Sequence, residues 1–244
     1  MTALRYRIVN VFAESALAGN PLCVFEDGSS LDTATMQALA LQFNLSETTF
    51  IVPPTVAGAT AQVRIFTPGF EMPFAGHPTL GTAHVVRELK NAGGSVKLEM
   101  KAGVIPVEAH GDEWTLKANA PRSHVPHVAR TEFAQMLGLP ESDVRDGALW
   151  VDTGSEQLIM PLASADAVER CKPNAELLLR YSVGHKRNGL AYVWAHVDDR
   201  TIRARFFFTK HGGLVEDPGT GSACANLGGW HIAQGKTLPL DFKV

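Results

Sequence analysis

Apolar and polar residues alternate with period two through much of this chain, the pattern of half-buried strands. Over residues 5–12, Tyr6, Ile8, Asn10 and Phe12 alternate with Arg5, Arg7, Val9 and Val11. Residues 61–67 set Val63 and Ile65 against Gln62 and Arg64, and Val96, Leu98 and Met100 alternate with Lys97, Glu99 and Lys101. Shorter apolar runs at 22–25, 49–52, 104–109, 114–118, 158–162, 190–197 and 201–209 predict further strands. Helical spacing is rarer. Met36, Leu39, Ala40 and Phe43 recur on one face between a capping Asp32 and a closing Asn44. Residues 131–138 read as a short capped helix ended by Gly138, and Lys172-Pro173 opens another that runs through Leu179. Antiparallel strands with few, segregated helices indicate an α+β fold.

One local design occurs twice. Residues 217–230 read Asp-Pro-Gly-Thr-Gly-Ser-Ala-Cys-Ala-Asn-Leu-Gly-Gly-Trp, after the strand at 201–209 and a Gly212-Gly213 turn. Residues 74–83 read Phe-Ala-Gly-His-Pro-Thr-Leu-Gly-Thr-Ala, after the strand at 61–67 and a turn that carries Glu71. Each is a strand, a Gly-rich turn and a helix start. That arrangement leaves backbone N–H groups and the positive end of the helix dipole available to a carboxylate or phosphate. Two copies predict two similar domains, with His77 and Thr220 opening two central helices that face one cleft and Glu47 on its wall. The proline-rich, aperiodic residues 120–127 place the boundary, giving an N-terminal half at 1–119 and a C-terminal half at 120–244.

Composition narrows the function. The 244 residues carry a formal net charge of −3 and are 45% hydrophobic, enough for a packed core. The charge lacks the basic stripe expected of a nucleic-acid binder. No apolar run is long enough to span a membrane, and residues 1–10 lack a signal-peptide core. Cys23, Cys171 and Cys224 are odd in number and far apart, as in a reduced cytoplasmic protein.

Four residues offer chemistry. Glu47, at the start of an apolar strand, has the setting of a general acid or base, or of a solvated junction acid. His77, in the first Gly-rich turn, can donate to an anion, hold Glu47, or serve as a satisfied structural histidine. Asp217 can cap the second helix, orient the site or accept from a substrate amine. Ser222 can donate to a substrate carboxylate or provide a small side chain for close packing. Other chemistries find no support. The glycines form no dinucleotide fingerprint inside a βαβ unit. His124 and His127 sit in the proline-rich stretch without cysteine or a helical glutamate motif, so no metal site is expected. There is no Gly-x-Ser-x-Gly elbow. Cys224 reads as a buried small hydrophobe rather than a nucleophile.

Taken together, Asn10-Val11-Phe12, Gly19-Asn20-Pro21, Leu45-Ser46-Glu47-Thr48-Thr49-Phe50, Phe66-Thr67-Pro68, residues 73–83 and residues 215–223 resemble the phenazine-biosynthesis PhzF-like isomerase family, of diaminopimelate epimerase-like fold. The segments occur in family order and span nearly the whole chain. The resemblance implies two pseudo-symmetric halves, each a curled antiparallel sheet or barrel around a central helix, with the site between them. It implies that Glu47 is the proton-shuttling acid, that His77, Asp217 and Ser222 complete the catalytic set, and that Asn20, Gly76 and Gly221 contact substrate. It implies a cofactor-free isomerase, a cytoplasmic homodimer, that moves a proton within a small cyclic or unsaturated carboxylic acid. No metal, nucleic acid or membrane partner is implied. The related amino-acid epimerases use two cysteines, where this chain has Ala75 and Pro218, so a two-cysteine racemase is disfavoured. An epimerase using Glu47 and another acid, or a non-catalytic small-molecule binding protein, are the alternatives. Family chains usually continue past Val244. Residues 238–244 read as one strand, and the resemblance implies a second sheet lacking its final strands, with an unpaired edge or exposed apolar face near Phe242.

Overall fold

The computed structural model describes residues 3–210 and 212–244. The chain divides into two compact units, Met1–Lys117 and Ala118–Val244. The first contains β1 (Tyr6–Val11), β2 (Asn20–Phe25), α1 (Thr33–Phe43), β3 (Thr48–Val52), β4 (Ala61–Phe66), β5 (Glu71–Met72), α2 (Gly76–Lys90), β6 (Ser95–Met100), β7 (Gly103–His110) and β8 (Glu113–Leu116). Seven strands run in the order β1-β2-β3-β4-β6-β7-β8, and β5 pairs with β4. The sheet curls around α2, which contacts β1, β2, β3, β4, β6 and β8.

Alternation decides which side chains line each face. Val24, Ile51, Val63 and Leu98 pack under α2 with Ala83, Val85 and Val86. Cys23, Phe25, Phe50 and Phe66 pack with Met36 and Ala40 of α1. Phe25 and Phe50 stack with ring centroids 4.7 Å apart. The caps of α1 are those expected, since Asp32 accepts from the Thr35 N–H at 2.8 Å and Asn44 closes the helix in the left-handed conformation.

Gly81 sets how closely α2 approaches the sheet. A Cβ there would meet Leu22 Cδ2 at 2.7 Å and Val11 Cγ2 at 2.8 Å. We expect Gly81→Ala to destabilise the protein by about 1–3 kcal/mol through overpacking, despite the better helix propensity of alanine. A urea titration checks this, and unchanged or raised stability would contradict it.

The second unit contains β9 (Arg122–His124), α3 (Arg130–Leu137), a short 3-10 turn at Glu141–Asp143, β10 (Leu149–Asp152), β11 (Glu156–Pro161), α4 (Ala165–Arg170), α5 (Ala175–Tyr181), β12 (Leu190–His196), β13 (Ile202–Lys210), β14 (Gly213–Asp217) and α6 (Gly221–Ala233). Its six-stranded sheet has the order β14-β13-β12-β11-β10-β9. The central helix α6 lies on β9, β10 and β11. A glycine again permits the approach, since a Cβ on Gly229 would meet Pro121 Cβ at 2.7 Å and Val151 Cγ1 at 2.8 Å.

The α+β architecture holds, but neither sheet is purely antiparallel. Pairs β2–β3, β4–β6 and β11–β12 are parallel. Part of the proline-rich stretch is a strand, β9, because Ser123 and its neighbours pair with β10. Residues 238–244 do not form the expected strand. Among the described residues their ladder contact is one parallel bridge between Thr201 and Lys243. Phe242 itself is half-buried against His196 and His231, at centroid distances of 5.4 and 5.1 Å. Leu238, Leu240 and Val244 are exposed.

Candidate active site

In the first unit the fold brings Glu47 and His77 together. Glu47 stands immediately before β3 and His77 is the second residue of α2. The packing of β3 against α2, which includes a buried hydrogen bond of 2.8 Å between the Thr49 and Thr82 hydroxyls, sets their separation. His77 Nδ1 lies 3.4 Å from Glu47 Oε2, slightly longer than an ordinary hydrogen bond. Both side chains are largely buried. Among the described residues, His77 Nε2 is buried without a hydrogen-bond partner. Gly76 is the first residue of α2, and Asn20 is fully buried at the start of β2. Glu71 belongs to the scaffold, held by Arg64 at 2.8 Å and Lys101 at 2.6 Å.

Burial depresses the His77 pKa from 6.5 to about 4, so its imidazole is neutral at pH 7. The unfolded chain protonates this residue near pH 6.5, and the native state only near pH 4. The stability from His77 is therefore fully present above about pH 6.5 and is lost as pH falls through that window. Between pH 7 and pH 5 we expect a loss of about 2 kcal/mol from this residue. Denaturation titrations of wild type and His77→Asn at both pH values check it. An identical acid slope in the two proteins would rule it out.

In the second unit Asp217 ends β14, and its Oδ2 accepts the hydroxyl hydrogen of Thr220, the residue that precedes α6. Gly221 and Ser222 form the first turn of α6. Ser222 is held by a network that the sequence does not announce. Gln157 on β11 donates its Nε2–H to Ser222 Oγ at 2.9 Å. The same amide accepts at Oε1 from Asn226 Nδ2 at 2.7 Å. Asn226 is fully buried, donates also to Ser155 O at 2.7 Å, and accepts at Oδ1 from Thr153 N and Oγ1 at 2.8 and 2.7 Å. This orientation makes Ser222 Oγ an acceptor toward Gln157, which leaves its own hydrogen free to donate elsewhere. Cys224, expected to be buried, is exposed, with its thiol 3.5 Å from Tyr192 Oη.

Side chains cap three of the helices at the N-cap, and α2, α3 and α6 have no such cap. Asp32, Ser164 and Asn174 cap α1, α4 and α5, and Glu132 in α3 accepts the Ala129 N–H. At α2 and α6 the N-cap residues Ala75 and Thr220 make no side-chain cap hydrogen bond. First-turn N–H groups without such a partner are suited to an anionic ligand.

Known proteins resemble the chain over nearly its whole length. The family model described as "phenazine biosynthesis-like protein" matches residues 9–243. An uncharacterised isomerase of Pasteurella multocida is 38% identical, with all of this chain and 82% of that protein covered. The trans-2,3-dihydro-3-hydroxyanthranilate isomerase of Pseudomonas aeruginosa is 32% identical over 96% of this chain and 82% of its own. The crystal structure of a Bacillus anthracis phenazine biosynthesis protein of the PhzF family superposes with a TM-score of 0.84. It is 27% identical and covers 95% of this chain and 81% of that one. With its epimerase-like fold and a family match over nearly its full length, the chain belongs to the phenazine biosynthesis-like PhzF family and is an isomerase.

Proposed function

We propose that the protein moves a proton within a small cyclic or unsaturated carboxylic acid, with Glu47 as the acid–base group and no cofactor. The observation that carries this reading is the largely buried carboxylate of Glu47 beside a histidine that burial keeps neutral. The Glu47 carboxylate would take a proton from a carbon next to a double bond and return it, from the same carboxyl, to another carbon of the same molecule. Atoms balance within substrate and enzyme. Neutral His77 does not neutralise the carboxylate and can present one ring nitrogen to it and the other to substrate. Ser222 and the first-turn N–H groups of α2 and α6 are the proposed holders of the substrate carboxylate, with Asp217 orienting the start of α6 through Thr220.

Trans-2,3-dihydro-3-hydroxyanthranilate, named for the Pseudomonas relative, is one compound to test, together with other unsaturated cyclic acids and amino acids. Incubation in deuterium oxide reads the reaction by mass spectrometry. Isomerised product carrying deuterium supports the proposal. Exchange at a stereocentre without double-bond movement indicates an epimerase, and binding without any exchange indicates a binding protein.

Ser222→Ala should weaken substrate binding by about 10–100-fold, the loss of one hydrogen bond to a charged group. Asp217→Asn should weaken binding in the same direction. Calorimetric titration with the identified substrate checks both, and unchanged affinity for Ser222→Ala would remove Ser222 from the carboxylate contact.

A further inference from the structure

The second unit gathers a set of metal-ligating side chains apart from Ser222 and Asp217. His124 on β9, Glu156 on β11 and His185 in the turn before β12 place one ligand atom each within 4.8 Å of one another. His124 Nδ1 is 4.0 Å from Glu156 Oε1. The His124 and His185 rings stack with centroids 3.8 Å apart. His127, the near neighbour in sequence, is not a member of the set.

The local backbone is built to hold this arrangement. Glu156 is buried, and its Oε2 accepts the Lys186 N–H at 2.6 Å, which leaves Oε1 toward His124. Gly184 packs directly on that carboxylate, since a Cβ there would meet Glu156 Oε2 at 2.6 Å and Trp150 Cε3 at 2.9 Å. A bridge between Val183 and Asn188 closes the turn and fixes where His185 emerges. The neighbouring cations are already engaged, with Lys186 Nζ on Asp152 and Arg187 donating to Ser155 Oγ at 3.0 Å.

We propose that His124, Glu156 and His185 form a binding site for a divalent late transition metal of the zinc type. Two imidazoles and one carboxylate are a donor set that zinc accepts, with a fourth position left for water or another oxygen ligand. Zinc holds its nitrogen and oxygen ligands at about 2.0–2.2 Å, so the three atoms must close by roughly 1 Å and the stacked His185 ring must turn until both imidazole lone pairs point at one ion. His185, exposed on a bend, provides that movement. The bound ion would tie the turn before β12 to β9 and β11. It takes no part in the proposed proton transfer.

The test uses the full chain without an affinity tag, stripped with a chelator and titrated with zinc by calorimetry. Cobalt follows by visible absorption, because its d–d bands report the donor set and geometry. We expect one zinc per chain and a metal-dependent rise in Tm. His185→Ala, at an exposed position, should weaken binding at least tenfold. His124→Asn should do the same, and His110→Ala should leave binding unchanged. A stoichiometry other than one, or equal affinity in wild type and His185→Ala, overturns the assignment.

Discussion

Glu47→Gln is expected to reduce isomerisation by roughly 10²–10⁴-fold or more, the scale for loss of a positioned acid–base group. The amide keeps the shape of the side chain and can still face His77 Nδ1, now 3.4 Å from the carboxylate. It cannot take up or return a proton. Substrate affinity should change far less, since the proposed carboxylate holders are Ser222 and backbone N–H groups. The fall should therefore appear in kcat more than in KM. Solvent deuterium incorporation by the two proteins decides the matter. Equal incorporation would move the proton-transfer role away from Glu47, to His77 or Asp217.

The second large effect is expected at Asn226. Its Nδ2 donates to Ser155 O and Gln157 Oε1, and its Oδ1 accepts twice from Thr153. Asn226→Asp preserves volume but replaces the two-hydrogen donor with an oxygen that faces two acceptors. Ionised, it is an unpaired buried charge. Protonated, it still lacks one hydrogen. We expect a loss of about 3–5 kcal/mol, the range seen when a buried polar network is left with an uncompensated charge. Gln157 would also lose the partner that fixes its amide, so Ser222 would be held less firmly in the protein that remains folded. Urea denaturation monitored by tryptophan fluorescence checks stability, and a change below about 1 kcal/mol would contradict this account.

What could be read from the sequence was mostly local. The caps of α1 and the starts of α2 and α6 depend on a few adjacent residues, so Asp32 marks one cap and His77 and Thr220 fall within one residue of the helix starts at Gly76 and Gly221. The fold class followed from alternation. Strand β10 went unread although its buried Leu149, Trp150 and Val151 form an apolar run like those that mark β11 and β12. Strand β9 escaped because it is three residues long and flanked by prolines, and α4 because six residues show too little period. Strand pairing is non-local, which hid the parallel pairs. The approach of Glu47 to His77 is of the same kind, and the local sequence left it as one of three open roles for His77. Gln157 and Asn226 had no local signal at all, since an amide inside a strand or helix looks like any other polar residue until its partners are known. The grouping of His124 with His185 and Glu156 was equally out of reach.

Helix α2, which carries His77, is also the crossover between the parallel strands β4 and β6. Parallel neighbours cannot zip together from a tight turn, so β6 finds β4 only as the chain between them folds back over the sheet. Glu47 precedes β3, which lies between β2 and β4 in that same sheet. The acid and its histidine therefore share one cooperative unit, and the backbone amides of β3, β4 and α2 should exchange with solvent deuterium as a group. An enzyme built this way does not lose its histidine by local fraying while the sheet stays closed. Dismantling one dismantles the other.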